Sequence, residues 1–513
     1  MIMKSVIKSF FSLFLFVLAC TLWAGIFFIL PYFLDNPFNG WQGWFITLFH
    51  WGLECFATFF LIYFFAVNKY VFAVFFPLFS LLGSVLSFYR YAYKAVLTPM
   101  LIDASLHNDL RTTLDVVSIP LVVFVIVSLL ISIFAVKYRF EKLKVSKPLI
   151  HFVASALLLC VILTANGRLT ASLMQRFPFN VYYNFSEYKK LRKTLFAERI
   201  DPDPTLKSTC NDSLKVVIVI GEALRADHLS LNGYHRLTNP RLSKRKSIFS
   251  FPAIYSEFTN TNMSLPHILT RADSIYPERA FQEKSFISLF RKCGYYASWI
   301  SNQDPAETYV SFINECDTVL YCHPEKSVYN YNEWLDEDLI PLAKEIKKKD
   351  SPCNLFVLHT IGSHWYYNNH FSPPFKVFTP VTSSRILSQC SKEELINSYD
   401  NTVVYTDFFL DSLIQLFENE NAVMIYLSDH GETLGENGAW LHAGDSEASH
   451  HPACIVWCSD KFEQKYPDKV KALEMNRNRY FRSNFLFHSA LNAANIPSKV
   501  MDKKLSIFNF PLQ

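Results

Sequence analysis

Polar side chains able to hold a metal recur where runs of β-branched residues stop. Glu222 follows Lys215-Val216-Val217-Ile218-Val219-Ile220-Gly221, Asp429 and His430 follow Val423–Ser428, and His359 closes Asn354–His359. His364 lies just beyond His359, and His442 a turn or two past Asp429. Taken singly, each is more often a hydrogen-bonded structural residue. Converging on one sheet edge, two carboxylates and several imidazoles form an oxygen- and nitrogen-rich set suited to Zn²⁺.

A hydroxyl that such a metal could activate stands in Asn260-Thr261-Asn262-Met263-Ser264-Leu265-Pro266, a loop entering an apolar, helix-like segment. There the backbone N–H groups and the helix dipole would stabilise an anionic phosphoryl group. Coordination to Zn²⁺ would lower the hydroxyl's pKa and make it a nucleophile. Residue pattern leaves Thr259, Thr261 and Ser264 all open, and helix capping is the ordinary role of each.

The elements that must position these groups are short apolar strands alternating with helices. Besides the runs above, Tyr296–Ile300 and Ala453–Cys458 read as strands, and Glu333–Lys348 and Lys392–Phe417 carry apolar residues at helical spacing. That alternation predicts an α/β domain over residues 211–513 with a mostly parallel sheet. Ligands of such sheets gather at the carboxyl ends of the strands, where the polar residues fall.

The rest of the chain is of another kind. Hydrophobic residues make up 50% of the 513 and charged ones 18%, with the excess concentrated before about residue 165. Ser9–Leu30, Phe45–Val67, Val71–Phe88, Ile119–Val136 and Leu149–Ala165 each approach the ~20 residues that span a hydrocarbon core. Residues 1–165 therefore read as a membrane domain of five helices, since no soluble core needs so much all-round apolar surface. Lys4, Lys8, Lys69 and the basic stretch Lys137–Lys147 fall on one side, which is then cytoplasmic. Everything after Ala165 lies opposite, on the periplasmic side. Cys20 sits in an apolar run too long for a signal peptide, so the first span reads as an uncleaved anchor. Residues 166–210 form a linker, with Arg168–Arg176 and Ser186–Arg199 as helices on the membrane surface and Asp201-Pro202-Asp203-Pro204 as the boundary. The outward loop Arg90–Val117, with Asp103, His107, Asp109, Arg111 and Asp115, reads equally as a solvated loop or as part of a lipid-head-group site. A net charge of +4 with no basic stripe argues against nucleic acid as a partner.

Longer stretches carry a resemblance. Ile218-Val219-Ile220-Gly221-Glu222, Leu231-Asn232-Gly233-Tyr234, Thr238-Asn239-Pro240, Leu358-His359-Thr360-Ile361-Gly362-Ser363-His364, Tyr399-Asp400-Asn401-Thr402, Leu427–Gly438 and Leu441-His442 resemble the phosphoethanolamine transferases. That family includes lipid A-modifying and mobile colistin-resistance enzymes and belongs to the alkaline phosphatase/sulfatase superfamily. The resemblance implies a Zn²⁺ held by Glu222, Thr261, Asp429 and His430, with Thr261 as nucleophile. It implies that His364 and His442 hold the donor's phosphate or a second zinc and move protons. His359, Asn302 and Asp103 complete the implied substrate-binding set. The donor would be phosphatidylethanolamine and the acceptor lipopolysaccharide or lipooligosaccharide, at a lipid A phosphate first and a core sugar next. Masking that negative charge would weaken binding of cationic peptides such as polymyxin.

Three features depart from better-known members. No cysteine pair flanks the nucleophile loop, Val381-Thr382 stands where a partner for Cys390 would be, and His107 and Arg111 do not match the usual head-group contacts. The family's pattern implies a Cys316–Cys322 disulfide. Independently, Cys210 and Cys353 each precede a central strand and are expected to join, whereas Cys454 and Cys458, roughly 13 Å apart on one strand, are not. A sulfatase would carry Arg where Ile268 follows Pro266. A phosphoglycerol transferase shares the fold, and a non-catalytic membrane scaffold would bind no zinc.

Overall fold

The computed structural model describes residues 2–35, 40–93, 97–99, 101–102, 106, 117–164, 176–195, 198–210, 212–303, 305–306, 308–322, 335–349, 351–384, 387–441 and 446–511. Two compact units divide in sequence between Leu191 and Arg192.

The first unit is helical: α1 (Ile2–Asp35), α2 (Gly40–Ala66), α3 (Lys69–Tyr93), α4 (Ile119–Lys142), α5 (Pro148–Thr164) and α6 (Phe179–Leu195). Four of these contain stretches long and apolar enough to cross a membrane, and α5 is apolar but shorter at 17 residues. Phe27, Phe72 and Phe76 are buried between helices, while Phe134 on α4 is 70% exposed, an apolar outer face that suits lipid. Arg139 on α4 is buried because it donates to the carbonyls of Ala66 and Val67 at the end of α2 and to Leu143. That capping fits a cation at a helix carboxyl terminus. Glu54, which the hydropathy reading passed over, is fully buried inside this unit.

The helix expected over Ser186–Arg199 instead runs Phe179–Leu195. Pro178 fixes the chain just before it, and the aromatic turn that follows extends the helix upstream of its basic residues. Of the expected Arg168–Arg176 helix, all but Arg176 lies outside the described residues.

The second unit centres on a seven-stranded sheet of β1 (Leu214–Gly221), β2 (Ile248–Ser250), β3 (Tyr296–Ser301), β4 (Thr318–Tyr321), β5 (Asn354–His359), β6 (Asn421–Ser428) and β7 (Cys454–Cys458), in the order β2-β7-β6-β1-β5-β3-β4. β6, β1, β5, β3 and β4 are mutually parallel; β7 runs antiparallel beside β6. Val216, Ile218 and Ile220 pack into one apolar layer and Val217 and Val219 into the other, so β1 is covered on both faces. The helices that matter to the site are α7 (Thr261–Leu269), α8 (Phe286–Lys292), α9 (Leu339–Lys347) and α10 (Lys392–Phe417).

Cys210 and Cys353 are joined, with Cα atoms 6.3 Å apart, because β1 and β5 are neighbours and Lys215 pairs with Asn354. Cys316 and Cys322 are not joined, contrary to the pairing implied by resemblance. β4 lies between them, and an extended strand at ~3.3 Å per residue holds its two ends too far apart.

Candidate active site

Three buried groups meet where β1 and β6 end side by side, with Gly221 paired to Ser428. His430 Nε2 lies 3.3 Å from Glu222 Oε1 and 3.5 Å from Asp429 Oδ2, and the three potential ligand atoms lie within 4.8 Å of one another. The remaining atoms of each group are committed elsewhere. Asp429 Oδ1 accepts from the backbone of Ala223 (3.2 Å) and His430 (2.8 Å), while its buried Oδ2 has no hydrogen bond among the described residues. His430 donates Nδ1–H to the Gly431 carbonyl at 2.7 Å, which turns Nε2 toward the carboxylates. Burial raises the Asp429 pKa and the neighbouring Glu222 raises it further; the His430 pKa is lifted by Asp429 and Glu222 against its own burial. A divalent cation at the meeting point would answer the same excess of negative charge, so this donor set fits one.

Thr261 is the first residue of α7, behind Asn260, whose side chain caps the helix by accepting from Met263 N at 3.1 Å. Its hydroxyl donates to Glu222 Oε2 at 2.8 Å. Of the other hydroxyls left open by the sequence, Ser264 turns to the Phe258 carbonyl and Thr259 makes no side-chain hydrogen bond among the described residues. Thr261 is therefore the one brought to the Glu222–Asp429–His430 trio, at the positive end of a nine-residue helix.

A second ring of contacts fixes Glu222. Gln303 Nε2 donates to Glu222 Oε2 (3.2 Å) and to the Thr360 carbonyl (2.6 Å). Asp336, fully buried ahead of α9, accepts from Asn302 Nδ2 (3.0 Å), Ile361 N (2.8 Å) and Gly362 N (3.0 Å), tying the ends of β3 and β5 together. Sequence reasoning passed over both. Gln303 could have been found by applying the strand-end rule to β3, whereas Asp336 looked like an ordinary acidic helix start.

The other expected residues separate. His364 stands in the turn after β5 and donates Nδ1–H to the Trp365 carbonyl at 2.5 Å, presenting Nε2 as an acceptor. Asn302 is buried beside the site, its amide donating to Asp336. His359 is fully buried against Trp299 and Tyr309, and neither ring nitrogen has a hydrogen bond. Strand alternation puts it on the core face of Leu355 and Val357, beneath the site rather than lining it, and burial pulls its pKa down to about 4. His442 and Asp103 lie outside the described residues.

Comparisons with known proteins match this architecture in both units. The family model described as "Sulfatase" covers residues 215–496, and that described as "Phosphoethanolamine transferase EptA/EptB" covers residues 55–179. The chain is 31% identical over 429 residues to phosphoethanolamine transferase EptA of Helicobacter pylori, 79% of this chain and 80% of that protein. The structure of the integral membrane lipooligosaccharide phosphoethanolamine transferase A of Neisseria meningitidis matches with a TM-score of 0.78 at 23% identity, covering 96% of this chain and 97% of that one. The C-terminal periplasmic domain of EptC from Escherichia coli, solved in complex with zinc, matches with a TM-score of 0.52 at 22% identity, covering 60% and 92%.

Proposed function

The chain belongs to the phosphoethanolamine transferases of the alkaline phosphatase/sulfatase superfamily and is anchored in a membrane, and on that premise we propose a two-step transfer through Thr261. The donor is phosphatidylethanolamine. The acceptor is lipopolysaccharide or lipooligosaccharide, at a lipid A phosphate ahead of a core sugar, with the enzyme in the inner membrane and its site in the periplasm. The observation that carries this reading is the Thr261 hydroxyl 2.8 Å from Glu222 Oε2, beside Asp429 and His430 and at a helix amino terminus.

Zn²⁺ held by Glu222, Thr261, Asp429 and His430 would lower the pKa of the Thr261 hydroxyl. Thr261 Oγ1 forms a bond to the donor phosphorus, the bond to the glycerol oxygen breaks, and that oxygen leaves protonated as diacylglycerol. The N–H groups opening α7 stabilise the charge on the phosphoryl oxygens. An acceptor oxygen then attacks the same phosphorus and Thr261 Oγ1 departs. His364, with its Nδ1 proton committed to Trp365, offers Nε2 to take the proton from the attacking oxygen and return it to the leaving one.

The test mixes detergent-purified protein with fluorescent phosphatidylethanolamine and follows diacylglycerol release and intact mass, for wild type and Thr261→Ala together. Release and a phosphoethanolamine adduct on wild type alone are expected. Release that persists in Thr261→Ala overturns the nucleophile assignment, and no release from zinc-loaded wild type overturns the donor.

A further inference from the structure

Away from the metal centre, the second unit holds a polar cleft of about 600 Å³ lined by Arg199, Lys284, Arg291, Lys292, Ser311 and Glu315, among others. It shares no lining residue with the site described above. Its floor is an unusual arginine. Arg199 is 8% exposed; its Nη1 donates to the carbonyls of Ala280 (3.0 Å) and Glu283 (2.9 Å), and its guanidinium lies 4.0 Å from the Phe312 ring centroid. Those contacts account for one edge and one face. The other edge, Nε with Nη2, is buried and has no acceptor among the described residues. That edge is the fork that grips an oxyanion with two parallel hydrogen bonds.

The neighbours divide into committed and uncommitted donors. Lys292 is paired with Asp201 and also reaches the Asp203 carbonyl; Arg291 is held by Asp317 and the Glu315 carbonyl. By contrast, among the described residues neither the buried Ser311 Oγ nor the exposed Lys284 ammonium has a partner. Glu315 is the carboxylate facing Arg199, yet it is engaged by Ser285 N (3.1 Å) and Oγ (2.6 Å), and burial raises its pKa. Burial pulls the Arg199 pKa down to about 10, as expected of a cation whose counter-charge is insufficient. A structural clamp explains Nη1 and the stacking on Phe312. It leaves the empty fork, Ser311 and Lys284 unexplained, and buried donors without acceptors are rare in folded proteins.

We infer that this cleft is a second oxyanion site, taking a tetrahedral group of the phosphate class on the Nε–Nη2 edge of Arg199 with Lys284 and Ser311. Free phosphate and the phosphate of a lipid head group share that chemistry. The assignment does not depend on the transfer mechanism, although a phosphorylated lipid held here would be tethered to the catalytic domain while another part of it reacts.

The experiment uses the full chain in maltoside micelles and an Asp429→Asn background, so that phosphate held at the metal centre does not contribute. Inorganic phosphate is followed by ³¹P line broadening, and phosphatidic acid doped into the same micelles by native mass spectrometry. Arg199→Gln is expected to abolish the binding, and Lys284→Gln, at an exposed position that does not threaten folding, to weaken it about tenfold. Loss of both probes, or of phosphatidic acid alone, supports the site and in the second case identifies a lipid source; loss of inorganic phosphate alone supports it with a free-phosphate source. Both probes bound at undiminished strength by Lys284→Gln and by any folded Arg199→Gln overturn the inference.

Discussion

Replacing Gly362 by alanine isolates how the turn after β5 holds Glu222, the proposed metal ligand. Gly362 has φ +51°, and a Cβ built on it would stand 2.7 Å from Glu222 O and 2.9 Å from Glu222 N. Both are backbone atoms that cannot rotate aside, and Ser363 N already donates to Glu222 O at 3.0 Å. The left-handed conformation alone costs alanine about 1 kcal/mol, and the overpacking adds about 1–3 kcal/mol, so about 2–4 kcal/mol in total. Gly294 supplies the control: its φ is +81°, yet an added Cβ meets nothing within 4 Å, leaving only the conformational cost of about 1 kcal/mol. Thermal melts, zinc per chain and transfer rate would be measured on both variants in detergent. Gly294→Ala should show a small stability loss with full zinc and rate. Gly362→Ala should be clearly less stable and lose about 10–100-fold in zinc affinity, the usual effect of displacing a metal ligand's support. Equal behaviour of the two variants in all three assays would refute the claim that this turn positions Glu222.

Thr261→Ser should retain transfer within about tenfold, because a hydroxyl still reaches Glu222, while Thr261→Ala should lose it entirely; adduct mass reads both. Asp336→Ala strands the N–H groups of Ile361 and Gly362 and the Asn302 amide, for about 2–5 kcal/mol of stability, and Asp336→Asn, which keeps one acceptor oxygen, should recover part of this and of the rate. His359 is held neutral by burial, with a pKa near 4 against 6.5 for the free group, so its contribution is complete above pH 6.5 and is lost as pH falls toward 4. That window is worth about 3 kcal/mol, and His359→Phe should flatten the stability profile across it in acid-unfolding curves. Cys210→Ser removes a link between residues 143 apart and should cost up to about 5 kcal/mol, with the Cys210→Ser/Cys353→Ser double variant no worse than either single one.

The strands that carry ligands were legible because they are apolar on both faces: β1, β5 and β6 read as unbroken runs, and α10 ran Lys392–Phe417 as its periodicity and the Ser391 cap require. β2 and β4 were not legible, since three or four residues at a sheet edge leave no periodicity to detect. Strand-end placement singled out Glu222, Asp429 and His430, which the structure brings within 4.8 Å of one another, but the same rule set His359 too far forward. Alternation puts His359 on the side of Leu355 and Val357, and only the fold shows that this side is filled there by Trp299 and Tyr309. Hydroxyl choice was equally beyond pattern: Thr259 lies before the helix and Thr261 and Ser264 on it at different phases, which the Asn260 cap sets. Asp336 acts through two backbone N–H groups and one side-chain amide, all distant in sequence, so its role left no local trace.

The nucleophile loop lacks the flanking cysteine pair that the family's pattern implies, and polar contacts hold it instead. Ser256 Oγ lies 2.8 Å from the Phe258 carbonyl and 2.9 Å from that of Asp429, and Ser264 reaches Phe258 from the other side. Arg271 grips Glu283 with two bonds just past α7, and Arg482 pairs with Glu257 just before it. Through Ser256 the loop carrying Thr261 is fastened to the backbone of Asp429, so Thr261 and the Glu222–Asp429–His430 cluster are positioned by one network. Meanwhile the Cys210–Cys353 disulfide closes the amino ends of β1 and β5, at the opposite edge of the sheet from Glu222 and His364. Reduction therefore acts on the stability of the sheet and leaves the tether between Thr261 and Asp429 in place, which separates loss of fold from loss of chemistry in this chain.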